Sequence, residues 1–103
     1  MVRVDGRKSS AVVLSVETEV DGNVGMLFLD LEAPMSEIER WKDGQPVYLE
    51  ARWKPTYIRF PFHPSLTSIF GSGSVQGTFV VYPHISEDHL YVLLYSAGDL
   101  KPL

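Results

Sequence analysis

Residues 11–31 constrain the fold more than any other stretch of the chain. From 11 to 20 the sequence alternates, with Val12, Leu14, Val16, Thr18 and Val20 on one side and Ser15, Glu17 and Glu19 on the other. A period of two carried by β-branched residues is the pattern of a half-buried strand. Asp21-Gly22-Asn23 follows, and Asp-Gly turns tightly because both residues tolerate positive φ. Residues 24–31 then alternate again, with Leu27, Leu29 and Leu31 on one face. Two such runs around such a turn read as a hairpin, and a chain that begins this way is expected to be antiparallel and mainly β.

The remaining segments fit that expectation. Pro34 ends the second run, and Ser36-Glu37-Ile38-Glu39 has the spacing of a capping box. Ile38 and Trp41 lie three apart and so share a helix face, while Gly44 suits the left-handed residue beyond a helix end. One short helix over about 36–42 is expected. Residues 47–53 alternate, with Val47, Leu49, Ala51 and Trp53 opposite Tyr48, Glu50 and Arg52. Residues 57–62 alternate too, with Ile58, Phe60 and Phe62 opposite Tyr57 and Arg59, and with Pro61 and Pro64 restricting that strand to an edge. Residues 66–70 suit either a strand or a helical turn, and Gly71-Ser72-Gly73-Ser74 reads as a flexible loop. Strands are expected at 78–82 and 90–95 around a loop. Six strand candidates and one helix, too short to cross a sheet, favour a small antiparallel β-barrel or rolled sheet. The expected organisation is a single domain over 1–103, with 1–9 and 97–103 as loose tails.

A chain of 103 residues builds one core. Its 45% hydrophobic and 21% charged residues are ordinary globular values, which argues against disorder. A net charge of −4 and a pI near 5.2 argue against a general DNA-coating protein. The absence of cysteine removes disulfides, thiolate metal ligands and cysteine nucleophiles, and fits a reducing compartment. The apolar runs fall far short of the roughly 18 residues of a membrane span, and the N-terminal residues carry no apolar signal core. A cytoplasmic protein is expected, without membrane contact.

Charge is distributed unevenly. No Asp or Glu occurs between Arg52 and Ser86, although the chain holds 13 acids. That window contains Arg52, Lys54, Arg59, His63 and His84 together with Trp53, Tyr57, Phe60, Phe62, Phe70, Phe79 and Tyr82. Such a stretch is either the buried half of the domain or a face turned toward something that disfavours carboxylates.

Motifs for chemistry are weak. His84, Glu87 and His89 form only a loose set without a recognised metal spacing, so no metal or cofactor is expected. Ser65, Ser68, Ser72 and Ser74 include no nucleophile elbow, and the glycine-rich stretch at 71–77 lacks the Lys-Ser/Thr ending of a phosphate loop. A non-enzymatic binding module is expected instead.

Two surfaces are candidates. In the last strands Tyr91, Leu93 and Tyr95 oppose Leu90, Val92 and Leu94, and Val80 and Tyr82 oppose Phe79 and Val81. Strands apolar on both sides in so small a domain are either fully sandwiched or exposed for docking. Val80, Tyr82, Tyr91, Leu93 and Tyr95 are therefore the expected interface with a protein partner or a second copy. The alternative is single-stranded nucleic acid or nucleotide. If 47–53 and 57–62 pair as a hairpin, Arg52, Lys54, Tyr57 and Arg59 cluster on its outer face, where they could hold phosphates and stack a base.

Arg3-Val4-Asp5-Gly6-Arg7 also resembles the R-x-x-x-R arm of PilZ domains, small β-barrels that bind cyclic di-GMP. Asp21-Gly22-Asn23-Val24-Gly25 is similar to the D-x-S-x-x-G element of that family, with Asn in place of Ser and the glycine one residue early. Gly44-Gln45-Pro46-Val47-Tyr48-Leu49 resembles the strand that follows it. The likeness covers residues 3–49 and implies nucleotide binding through Arg3 and Arg7.

Overall fold

The computed structural model describes residues 1–22, 24–54, 64–85, 90–96 and 100–103. In chain order these form β1 (Val2–Val4), β2 (Arg7–Ser9), β3 (Val12–Asp21), β4 (Val24–Glu32), α1 (Met35–Ile38), β5 (Pro46–Arg52), α2 (Pro64–Ser72), β6 (Ser74–Ile85) and β7 (Leu90–Ser96). The strands make one seven-stranded sheet in the order β2-β1-β5-β6-β7-β4-β3, and every pairing is antiparallel. The mainly β, antiparallel architecture is as expected. The sheet is open rather than closed, with β2 and β3 as its two edges.

One side of the sheet is apolar by strict alternation. Val2 and Val4 in β1, Leu27, Leu29 and Leu31 in β4, and Val47, Leu49 and Ala51 in β5 are buried on it. Val75, Phe79 and Val81 in β6 and Val92 and Leu94 in β7 complete that face. Both helices cover this inner side. Ile38 of α1 and Leu66, Ile69 and Phe70 of α2 join the same core cluster, α1 lying against β7 and α2 against β4 and β6.

In β3 the alternation read from sequence slips. The pairing runs Val13 with Leu31, then Ser15 with Asp30, so a bulge at Leu14 shifts the register by one residue. Val13 and Val16 consequently pack on the core, whereas Val12 and Leu14 are 54% and 53% exposed. A one-residue slip sends side chains to the opposite face.

Residues 1–9 are a hairpin, not a loose tail. Asp5 at φ 50° and Gly6 at φ 80° are both left-handed, as a two-residue turn of matching twist requires. Asp5 also clamps the turn to β5: its N–H donates to the Tyr48 carbonyl at 2.7 Å, and its Oδ1 accepts from the Tyr48 N–H at 2.9 Å. The far end of the chain is anchored too. Lys101 and Gln76 exchange backbone hydrogen bonds of 3.1 and 2.7 Å, and the Leu103 N–H donates to the Ser74 Oγ at 2.9 Å. Residues 97–99, the rest of that expected tail, lie outside the described residues.

The helix expected over 36–42 is shorter and starts earlier. Pro34, extended at φ −67° and ψ 157°, occupies the cap of α1 without a side-chain hydrogen bond. Ser36 lies inside the helix, so the capping box does not form; Glu37 instead accepts a 3.3 Å hydrogen bond from the Ser9 hydroxyl. A second helix, α2, covers the ambiguous stretch at 66–70. Gly73 at φ 65° ends it, donating its N–H to the Ile69 carbonyl at 3.0 Å. The Gly-Ser run is thus a helix terminus and the start of β6, with Ser74 fully buried, rather than a flexible loop.

The strand expected at 57–62 lies outside the described residues. β5 itself is paired with β1 on one side and with β6 on the other. Among the described residues no helix is long and apolar enough to cross a membrane.

Candidate functional site

The side of the sheet away from the helices presents the other half of each alternation. Antiparallel register sets its residues in rows. One row runs Glu17, Phe28, Tyr95, Val80 across β3, β4, β7 and β6. The next runs Ser15, Asp30, Leu93, Tyr82, and a third places Glu32 beside Tyr91 and Tyr91 beside His84. Directly opposed and diagonal neighbours of this kind are within reach of aromatic side chains. Phe28 and Tyr95 stack with ring centres 5.7 Å apart and planes 23° apart, and Tyr95 and Tyr82 stack at 5.6 Å and 18°. The result is a ladder of three rings from three adjacent strands. Tyr82, its outermost member, is 41% exposed.

Beside the ladder lies an open cavity of about 320 Å³ lined by Asp30, Tyr82, Pro83, His84 and Leu93. Its carboxylate is held in place, since Asp30 Oδ2 accepts a 2.8 Å hydrogen bond from the Ser15 hydroxyl. A ring face, a carboxylate and an aliphatic wall together suit a cationic or amphipathic side chain from another molecule.

The Tyr82 hydroxyl titrates above its ordinary value of 10.0. Partial burial is the main cause, followed by the charge of Tyr95, a hydrogen bond with Tyr95, and the negative charge of Asp43. The folded state therefore holds this proton more tightly than the unfolded chain. Its contribution to stability is complete below pH 10 and is lost as pH rises through the elevated value. The drop in urea midpoint from neutral to strongly alkaline pH should accordingly be smaller in Tyr82→Phe than in the parent. An identical alkaline loss in both proteins would remove this assignment.

Charges on the outer side are segregated. Lys8, Arg3, Glu50, Gln76 and Lys101 form one row across β2, β1, β5, β6 and the C-terminal segment, with exposed Arg52 one row beyond. At the diagonally opposite corner stand Glu17, Glu19, Asp30 and Glu32 of β3 and β4, two strands that contain no Lys or Arg.

Of the expected interface residues, Val80, Tyr82, Leu93 and Tyr95 come together on this outer side, and Tyr91 holds the register position opposite His84. Phe28 completes the ladder but was not anticipated, because its place depends on β4 being the neighbour of β7. The basic set is dispersed. Arg3 and Arg52 share the outer side, Arg7 pairs with Val4 and so faces the other way, and Lys54 lies past the end of β5. Tyr57 and Arg59 lie outside the described residues. Trp53 meets Phe70 edge-on, ring centres 6.4 Å apart, and so belongs to the core margin. Among the described residues no group of three or more His, Cys, Asp or Glu is placed to hold a metal ion.

No protein-family model, curated protein or solved structure matches this chain. The PilZ likeness therefore stands on the quoted residues alone, two of which, Arg3 and Arg7, the β1–β2 hairpin places on opposite sides.

Proposed function

We propose that the protein is a non-enzymatic module that acts by contact with another protein chain, through the outer side of β6, β7 and β4. The observation that carries this reading is the ring ladder Phe28–Tyr95–Tyr82, flanked by Val80 and Leu93. Both helices cover the inner side, so this second apolar surface is not needed to close the core. Contiguous apolar surface bordered by charge is the signature of a docking site. The carboxylates of Glu17, Asp30 and Glu32 around the ladder disfavour a phosphate backbone there.

The competing reading is single-stranded nucleic acid or cyclic dinucleotide held at the basic corner. A salt-series titration against fluorescent single-stranded DNA, RNA and cyclic di-GMP separates the two. The contact reading expects no binding at physiological salt. Binding that falls steeply with salt, and that disappears in Arg3→Glu/Arg52→Glu, would establish the phosphate-binding alternative in its place.

A further inference from the structure

Building on the reading of the outer side as a contact surface, we infer that its occupant is a second copy of this chain, docked face to face about a twofold axis. The charge pattern identifies the occupant. The basic corner (Lys8, Arg3, Arg52 and Lys101 around Glu50) and the acidic corner (Glu17, Glu19, Asp30 and Glu32) lie diagonally across the face. Between them are Tyr48, Thr78, Val80 and Tyr95, none of which carries charge.

A twofold axis lying in the contact plane, perpendicular to the diagonal that joins these corners and crossing that diagonal midway, turns the second copy over. The acidic corner of each copy then covers the basic corner of the other, twice, and the uncharged middle meets itself. This is an isologous contact, in which one patch serves both partners. A twofold axis running along the diagonal would instead set like charges together, and their repulsion suppresses that arrangement. A different protein would have to supply the complementary diagonal, whereas a second copy already carries it. The cavity lined by Asp30, Tyr82 and Leu93 lies at the acidic corner and receives a basic side chain of the opposing copy.

The size of the face is adequate. Seven strands spaced ~4.8 Å apart, from 3 to 12 residues long and averaging about seven, span roughly 30 by 20 Å, on the order of 600 Å² per copy. That reaches the ~1,200 Å² total at which specific interfaces begin.

The test is sedimentation equilibrium of the full chain over a wide concentration range, with circular dichroism confirming that each variant is folded. The variants are Val80→Asp in the middle, Arg3→Glu/Lys8→Glu at one corner and Glu17→Lys/Glu19→Lys at the other, all four corner positions being exposed. The parent should dimerise, and each variant should weaken dimerisation roughly tenfold or more, since every substitution counts twice in a twofold contact. An equimolar mixture of the two charge-reversed proteins should recover the parent affinity as a mixed dimer. A parent that stays monomeric throughout overturns the second-copy inference, while the contact reading is then judged by the nucleic-acid titration. A dimer sensitive to Val80→Asp but indifferent to both charge reversals overturns the inferred arrangement and leaves the contact surface standing. A dimer indifferent to Val80→Asp overturns both.

Discussion

Phe79→Ala should lose about 3–5 kcal/mol of folding stability, read as a large drop in the urea midpoint at unchanged slope. Phe79 is fully buried and lies in β6, the fourth of seven strands and so the middle of the sheet. Its cross-strand neighbour in β5 is Val47, and the core closes over it with α2. Removing the ring deletes transfer free energy and leaves a cavity that a sheet held on both flanks cannot collapse to fill. A domain of this size is expected to hold only about 5–15 kcal/mol in total. The variant will therefore sit near its unfolding threshold, and a loss below 1 kcal/mol would show that the middle of the sheet is loosely packed.

Two adjacent substitutions should diverge even more sharply. Val81→Asp places a carboxylate at a fully buried position on the inner side, where it meets no partner of opposite charge among the core residues. An unpaired buried charge costs several kcal/mol, enough to unfold the protein or to leave it with little native structure. Val80→Asp, one residue earlier, puts the same group on the outer side beside Tyr95. It should leave the fold intact, with a stability change under about 1 kcal/mol, and act on association alone. Thermal unfolding followed by circular dichroism distinguishes the two directly. If Val80→Asp unfolds the chain as Val81→Asp does, the outer side is part of the core and cannot be a contact surface.

That contrast shows how much the sequence disclosed. The alternation in 24–31, 47–53 and 78–82 assigned inner and outer residues correctly, because a side-chain period of two follows from the backbone alone. It failed in β3, where the bulge at Leu14 leaves no mark in composition. It missed the β1–β2 hairpin, although Asp5-Gly6 is the same kind of turn dipeptide that was recognised at Asp21-Gly22. Three-residue strands are too short to show a period, so only the turn could have revealed them. The Gly-Ser run misled for the opposite reason: Gly73 marks a helix end, but the helix before it carries no acidic residue in its first turn and no basic residue in its last.

The acid-free window proved to be two things at once. Leu66, Ile69 and Phe70 of α2 and Val75, Phe79 and Val81 of β6 are core, while Val80 and Tyr82 face outward on that same strand. The converse signal was equally available. Between Lys8 and Arg40 the chain has seven acids and no Lys or Arg, and that stretch becomes the acidic corner. What no local pattern could supply is strand order. The meeting of Phe28 with Tyr95 depends on a pairing between residues some 67 positions apart, decided by the packing of the whole sheet.

The same strand order has a consequence for how the chain is made. β3 and β4 are adjacent in sequence and can pair as soon as they leave the ribosome, yet the other neighbour of β4 is β7, which comes after the other six described strands in chain order. β1 likewise waits for β5. Until β7 emerges, the Leu27, Leu29 and Leu31 side of the β3–β4 hairpin has no second strand to hold it in the sheet. Long-range pairings of this sort fold slowly and leave apolar edges uncovered in the interval. Nascent chains truncated before β7 should therefore be the form most dependent on chaperones, and the last strand is the step that commits the molecule to its native state.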